Sequence, residues 1–221
     1  MSRHLSHPTD KTTARVFFAL WPTVAERDAL AAWQAPLKRL CGGRAMRGET
    51  LHNTLVFIGD VDGMTRCAQA SGAGMPSPRL LPQSAGYASN VSEAKLYGLD
   101  VLQLAAQEVS GECFELRFDE ARYWGHNHIV YAAPHHMPQQ LAHLADALGQ
   151  RLTAHRFNFD RREYKPHVTL LRNAHWSDTP LPAMQPVCWQ IRDFALVQSV
   201  PHDGLADYRV LARFPLGSSG G

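Results

Sequence analysis

The chain has 221 residues, 45% of them hydrophobic and 19% charged, with a formal net charge of +2. That is length enough for one large domain with a sizeable core, and the composition is that of an ordinary globular protein. No run approaches the roughly 18 apolar residues of a membrane span, and so weak a positive charge argues against a broad nucleic-acid footprint while leaving room for a small site that holds one phosphate. The four cysteines, Cys41, Cys67, Cys113 and Cys188, are far apart and form no C-x-x-C. Neither a zinc knuckle nor a thiol-redox motif is present, and reduced thiols are expected.

Residues 1–14 are polar and lack the apolar segment of a secretory signal, so they read as a flexible tail of a cytoplasmic protein. Arg15 to Leu20 predicts a strand, closed by Trp21-Pro22. Thr23 then offers a helix N-cap, with Glu26 three residues on in a capping-box pattern. Leu30, Trp33, Leu37 and Leu40 make one apolar helix face, and Gly42-Gly43 ends it. Pro36 sits inside this pattern and should kink or divide the helix. Thr50 to Ile58 predicts the next strand. Residues 62–97 are rich in Gly, Ser and Pro with little periodicity, and predict an insert or extended loop. Leu99 to Val109 predicts a short helix and Cys113 to Phe118 a strand; Ala121 to Trp124 either extends that strand or starts another.

His128 to Pro134 is again a strand closed by proline. A helix follows from about Pro138, with Leu141, Leu144, Leu148 and Leu152 on its buried face. A further strand carries His167. Trp189 to Val197 and Tyr208 to Phe214 predict a hairpin with its turn at Pro201 to Gly204. Residues 217–221 read as a second flexible end, leaving 15–216 as a single bilobal domain.

Two stretches carry the chemistry: His52-Asn53-Thr54-Leu55 and His167-Val168-Thr169-Leu170. On a strand, residues two apart share a face, so each copy sets an imidazole beside a hydroxyl. From Pro22 to His52 is 30 positions and from Pro134 to His167 is 33. Strand, proline, helix and His-x-Thr strand therefore occur twice, as two related halves meeting across a pseudo-two-fold. A 2',3'-cyclic phosphate is a strained diester whose opening needs an activated water and a protonated leaving oxygen. Two histidines, one neutral and one protonated, supply both and predict a bell-shaped pH dependence. The threonine hydroxyls can donate to the non-bridging oxygens.

Arg15 to Pro22, Leu51 to Gly59 and Tyr164-Lys165-Pro166-His167-Val168-Thr169-Leu170-Leu171-Arg172 resemble the bacterial RNA 2',3'-cyclic phosphodiesterases, first known as 2'-5' RNA ligases, of the two-histidine phosphoesterase superfamily. Phe194 to Ser199 and Tyr208 to Leu216 fit as well. The resemblance implies an α+β fold with two pseudo-symmetric antiparallel sheets, outer helices and a central cleft. It implies hydrolysis of RNA 2',3'-cyclic phosphate ends to 2'-phosphomonoesters, with no cofactor and no metal, and with 2'-5' ligation as the reverse reaction. By the same analogy His52 is the proton donor to the 3'-oxygen and His167 the proton acceptor that activates water, while Thr54 and Thr169 hold the phosphate. Arg172 matches an arginine that comes after the family's second motif, and the same analogy assigns it to the phosphate; strict alternation puts it on the opposite face from His167 and Thr169, so it reaches the cleft only if the strand twists or ends there. Asn53 stands where the family more often has an apolar residue, and alternation turns it away from the site.

The expected partners are RNA ends or small oligonucleotides, with no membrane, and the protein is expected to be a monomer. The alternatives are the same chemistry on 2'-5'-linked oligonucleotides or cyclic nucleotides, or a non-catalytic RNA-end-binding module. His126-x-His128 and His135-His136 invite a metal reading, but no Asp, Glu or Cys stands at a companion spacing. Tyr123 and Trp124 are candidates for base stacking or for core packing, and Arg161, Arg162 and Lys165 for RNA contact or for a solvated loop. No Walker-type Gly-Lys-Ser/Thr or nucleophile elbow is present, which excludes an ATP-dependent ligase.

Overall fold

The computed structural model describes residues 13–62, 98–176, 180–202 and 205–217. The expected tails, apart from residues at their inner ends, and nearly all of the 62–97 segment lie outside the described residues. Strand β1 (Thr13–Leu20) opens the fold. Helix α1 (Val24–Ala31) starts at Thr23, whose hydroxyl accepts from the Glu26 amide while Glu26 Oε2 accepts from the Thr23 amide at 2.8 Å, the reciprocal capping box. The Glu26 carboxylate also accepts from the Gln190 amide at 2.6 Å, which fastens the helix start to a distant strand. Helix α2 (Gln34–Cys41) comes after a break at Trp33. Pro36 divides the predicted helix here: it is the third residue of α2, where its missing N–H leaves no intrahelical bond unmade.

Strand β2 (Arg44–Ala45) leads into a single 3-10 turn at Gly48–Thr50 and then β3 (Asn53–Asp62). The strand predicted from Thr50 thus starts three residues later, because the Thr50 and Leu51 amides close the turn onto Arg47 and Gly48. It also runs further than expected, with Val61 and Asp62 still paired to β1. Helix α3 (Gly98–Gln107) and β4 (Phe114–Phe118) come next. Ala121 to Trp124 belongs to a strand of its own, β5 (Glu120–Trp124), which pairs with β6 (Ile129–Ala133). Helix α4 (Gln139–Ala154) buries Leu141, Leu144, Leu148 and Leu152, and β7 (Val168–Arg172) carries the second motif. The strand predicted over Trp189 to Val197 is two: β8 (Val187–Ile191) pairs with β4, whereas β9 (Asp193–His202) pairs with β1 and with β10 (Leu205–Pro215).

These strands make two four-stranded antiparallel sheets, ordered β10-β9-β1-β3 and β2-β7-β6-β5, and a two-stranded sheet of β4 and β8. The equivalence seen in the sequence is structural: β1 lies beside β3 as β6 lies beside β7. The helices are exchanged between the halves. Helix α2, which comes after β1, packs on β7, and α4, which comes after β6, packs on β3. One hydrophobic cluster therefore runs through both sheets, from Phe18 and Val56 to Val130 and Leu171. Among the described residues no helix is long and apolar enough to cross a membrane.

Candidate active site

His52 ends the turn that precedes β3, and Thr54 lies two residues on within it. The His52 Nδ1 hydrogen is donated to the Thr50 carbonyl at 2.7 Å, which leaves Nε2 as the acceptor for the Thr54 hydroxyl at 3.1 Å. His167 is held the same way, its Nδ1 donating to the Lys165 carbonyl at 2.8 Å. Each ring is thus tied to the carbonyl two residues upstream, fixing the tautomer and freeing Nε2 for chemistry. Both histidines and both threonines line one cavity of about 320 Å3, together with Arg15, Phe17, Met46, Thr50, Phe57, Arg172, Ser199 and Tyr208.

For Arg172 the resemblance and strict alternation point to opposite faces. Strict alternation turns it away from the site, yet it lies on the cavity wall. The reason is a bulge: Val130 pairs with Leu171 and Tyr131 with Thr169, so Leu170 has no partner across the ladder. The extra residue reverses the parity of the residues after it. Leu170 and Leu171 are both buried, and Arg172 returns to the face of Thr169. The Leu170 carbonyl is not orphaned, since it accepts from the Met46 amide at 2.9 Å and from Gln34 Nε2 at 3.1 Å. Strand β3 bulges at the matching place: Phe18 pairs with Val56 and Ala19 with Thr54, passing over Leu55. Phe57 is brought round to the cavity as Arg172 is. The sequence held a signal for this, because two consecutive buried residues after each threonine break the alternation in both repeats.

The two rings sit in different surroundings. His52 stacks on Phe17 and Trp21, with centroid separations of 4.9 and 5.4 Å, and meets Tyr208 edge-on at 5.0 Å. His167 meets Trp124 and Tyr131 edge-on at 4.7 and 5.7 Å. Burial pushes the His52 pKa down to about 4, against the opposing effect of the Thr50 carbonyl, and the charges of His167 and Arg172 add to the lowering. Burial also lowers His167, with the Lys165 carbonyl opposing and Arg172 adding to it. Among the described residues no carboxylate lines the cavity, whose wall carries the guanidinium groups of Arg15 and Arg172.

Supporting contacts come from elements the sequence did not connect. Arg47 forms an ion pair with Asp207 and donates to the Ala206 carbonyl at 3.0 Å, pinning the turn before His52 to β10. Within that turn the Arg47 carbonyl accepts from the Thr50 hydroxyl at 2.7 Å. Gly43 has φ +79°, and a side chain there would meet the Arg172 carbonyl at 2.7 Å, so only glycine lets β2 lie this close to β7. Asn53 faces away from the cavity, where its side-chain oxygen accepts from the Tyr164 hydroxyl at 2.6 Å, and burial pushes the Tyr164 phenol up.

The other candidates stay off the cavity wall. Tyr123 hydrogen-bonds His128 Nδ1 at 3.0 Å and donates to the Ala174 carbonyl at 3.1 Å, closing a turn. His126 sits beside Trp124, and His135 pairs with Glu120. Among the described residues no group of three or more His, Cys, Asp or Glu side chains comes together as a metal site. Arg162 is paired with Asp160 and Lys165 with Glu163, while Arg161 lies over the Phe159 ring.

A family model for the 2'-5' RNA ligase superfamily matches residues 21–203. The chain belongs to the 2'-5' RNA ligase superfamily. It is 24% identical over 202 residues to the Escherichia coli (strain K12) RNA 2',3'-cyclic phosphodiesterase, covering 91% of this chain and 96% of that one. The fold is that of E. coli LigT, solved with 3'-AMP: TM-score 0.70 at 23% identity over 93% of this chain and 99% of LigT. TT0787 of Thermus thermophilus is also similar, with TM-score 0.58 at 22% identity over 91% and 97% of the two chains. Membership in the superfamily accords with the paired His-x-Thr strands and with an α+β phosphoesterase fold of two sheets around a cleft.

Proposed function

We propose that this member of the 2'-5' RNA ligase superfamily hydrolyses RNA 2',3'-cyclic phosphate ends to 2'-phosphomonoesters, using a single bilobal domain over residues 15–216. The observation that carries this reading is the pair of tethered imidazoles, each with its own threonine, on the wall of one cavity that carries no carboxylate among the described residues. The names of its relatives support the substrate class: one is an RNA 2',3'-cyclic phosphodiesterase, and LigT has been solved with 3'-AMP and with ATP.

In this mechanism His167 Nε2 takes a proton from water as the oxygen attacks phosphorus. His52 gives its proton to the 3'-oxygen as the P–O3' bond breaks, which leaves the phosphate on the 2'-oxygen. The neutral state of His52 in the free cavity does not prevent this. The phosphodiester brings a negative charge into the site, which offsets the burial and holds a proton on the ring. Thr54, released from His52 Nε2, and Thr169 donate to the non-bridging oxygens, and Arg172 neutralises the charge that builds there. Proton transfer and charge neutralisation both come from side chains, so the reaction runs without a metal, and the same opening with a 5'-hydroxyl in place of water is a 2'-5' ligation. The protein acts as a cytoplasmic monomer on RNA ends or small oligonucleotides.

The test is an RNA ending in a 2',3'-cyclic phosphate, incubated with the protein in excess chelator. The expected product is the 2'-phosphate at an undiminished rate. A 3'-phosphate would exchange the roles of the two histidines, and dependence on added metal would overturn the side-chain mechanism. Binding without turnover would leave an RNA-end-binding module. Faster turnover of 2'-5'-linked oligonucleotides or cyclic nucleotides would change the substrate while keeping the chemistry.

A further inference from the structure

The cavity carries more positive charge than a cyclic phosphate needs. A 2',3'-cyclic phosphodiester has one negative charge. Arg172, three residues past Thr169, meets it on the β7 side. Arg15 stands on the other sheet and is unaccounted for. Its position is a separate level of the wall. Ala19 pairs with Thr54, and Arg15 lies four residues back along β1, about 13 Å at the rise of a strand. At that level Arg15 pairs with Ser199 on β9, and Ser199 pairs with Tyr208 on β10. All three line the cavity.

The state of the Arg15 side chain also suits a ligand. Its guanidinium lies 5.1 Å from the centre of the Phe57 ring. A ring face orients the guanidinium plane without neutralising it, and leaves the N–H edges able to make a forked contact with an anion. Arg15 forms no ion pair among the described residues; Asp60, opposite it in the register with β3, is not bonded to it. By contrast Arg47, Arg122, Arg151, Arg162 and Arg213 are each committed to a carboxylate.

We propose that Arg15, with Ser199 beside it, forms a second phosphate subsite, which takes the phosphate on the 5' side of the nucleoside whose cyclic end is opened. The inference rests on the proposed opening of 2',3'-cyclic phosphates at the two histidines. That 5' phosphate has two sources, a terminal 5'-monophosphate and the diester that links the preceding nucleotide. The site is thereby biased toward the end of a chain over a free cyclic mononucleotide.

The experiment is steady-state kinetics on a nucleoside 2',3'-cyclic phosphate, its 5'-phosphorylated form and a dinucleotide with a cyclic phosphate end, using the parent and Arg15→Gln. The parent is expected to favour a substrate with the second phosphate by tenfold or more in kcat/KM. The gain should lie mainly in KM and shrink with added salt. Arg15→Gln reduces the preference below about threefold, and Ser199→Ala narrows it by less. Advantage for both doubly charged substrates assigns the subsite to any 5' phosphate, and advantage for the dinucleotide alone assigns it to the linking diester. Equal rates on all three by the parent, or a preference kept in Arg15→Gln, overturn the subsite and leave the hydrolytic reading standing. Absence of turnover on all three counts against the hydrolytic reading instead. In that case equilibrium binding decides: nucleoside 2',5'-bisphosphate should bind the parent at least tenfold more tightly than nucleoside 2'-monophosphate, with the difference lost in Arg15→Gln, and equal binding to the parent overturns the subsite.

Discussion

The half of the cavity built on β3 and the half built on β7 have one backbone plan and two sets of walls. In both, histidine Nδ1 is tied to the carbonyl two residues upstream, a threonine stands two residues on, and a bulge comes directly after it. Beyond the bulge one half presents Phe57 and the other Arg172. His52 is stacked between aromatic faces and bonded to Thr54; His167 is touched by ring edges, and no bond joins it to Thr169 among the described residues. A duplicated backbone thus sets two imidazoles in equivalent frames, and unlike side chains around them make the halves unequal. Acid and base roles require that inequality, because one ring must hold a proton while the other lacks it.

The comparison breaks most visibly at the histidines. His52→Ala and His167→Ala should each lower kcat/KM on a 2',3'-cyclic phosphate RNA by about 10^3-fold, within the range for loss of a general acid or base. Parent-like turnover by either variant would show that only one half is catalytic. Next come the residues after the bulges. Arg172→Gln should cost about 10- to 100-fold, as for loss of a charged hydrogen bond, whereas Phe57→Leu should cost less than tenfold. Equal losses would mean that the two bulge positions serve the phosphate alike. Replacing the hydroxyls should cost less again: Thr169→Val and Thr54→Val about tenfold each. Only the Thr54 change should also alter the pH profile, since only Thr54 is bonded to its histidine.

Titration sharpens the same contrast. Both rings are lowered from the ordinary histidine value, so the bell in kcat/KM, which reports the free enzyme, should centre below pH 6.5. Arg172 lowers both, and Arg172→Gln should move both limbs to higher pH by a few tenths of a unit. An unmoved alkaline limb would separate Arg172 from the titrating rings. The smallest expected effect is on stability. A histidine whose folded pKa is depressed binds protons more readily when unfolded, so its contribution is complete above pH 6.5 and is lost as the pH falls toward 4. Denaturant titrations of the parent at pH 7 and pH 5 should differ by on the order of 1–2 kcal/mol from this ring. His52→Gln should show a smaller difference between the two pH values, and an unchanged difference would place the acid sensitivity elsewhere.

What the sequence determined by itself was local and repeated. The Thr23–Glu26 box, the leucine face of α4 and the two strands closed by proline are set by spacing within one element, and all are present. The paired His-x-Thr motifs named the four side chains at the centre of the cavity, since residues two apart share a face in any strand. Tertiary structure decided the remainder. Arg172 is in the cavity because Leu170 has no partner on β6, and a bulge depends on the register of the neighbouring strand as well as on the strand that bends. Ser199 and Tyr208 reach the wall because β9 and β10 add to β1, about 180 residues away in the chain. The division of Trp189 to Val197 between two sheets, and the exchange of α2 and α4 between the halves, result from closing one core around both repeats. Periodicity shows which face of an element is apolar but not which neighbour covers it, so the side chains that the strand pairing carries into the site were beyond its reach.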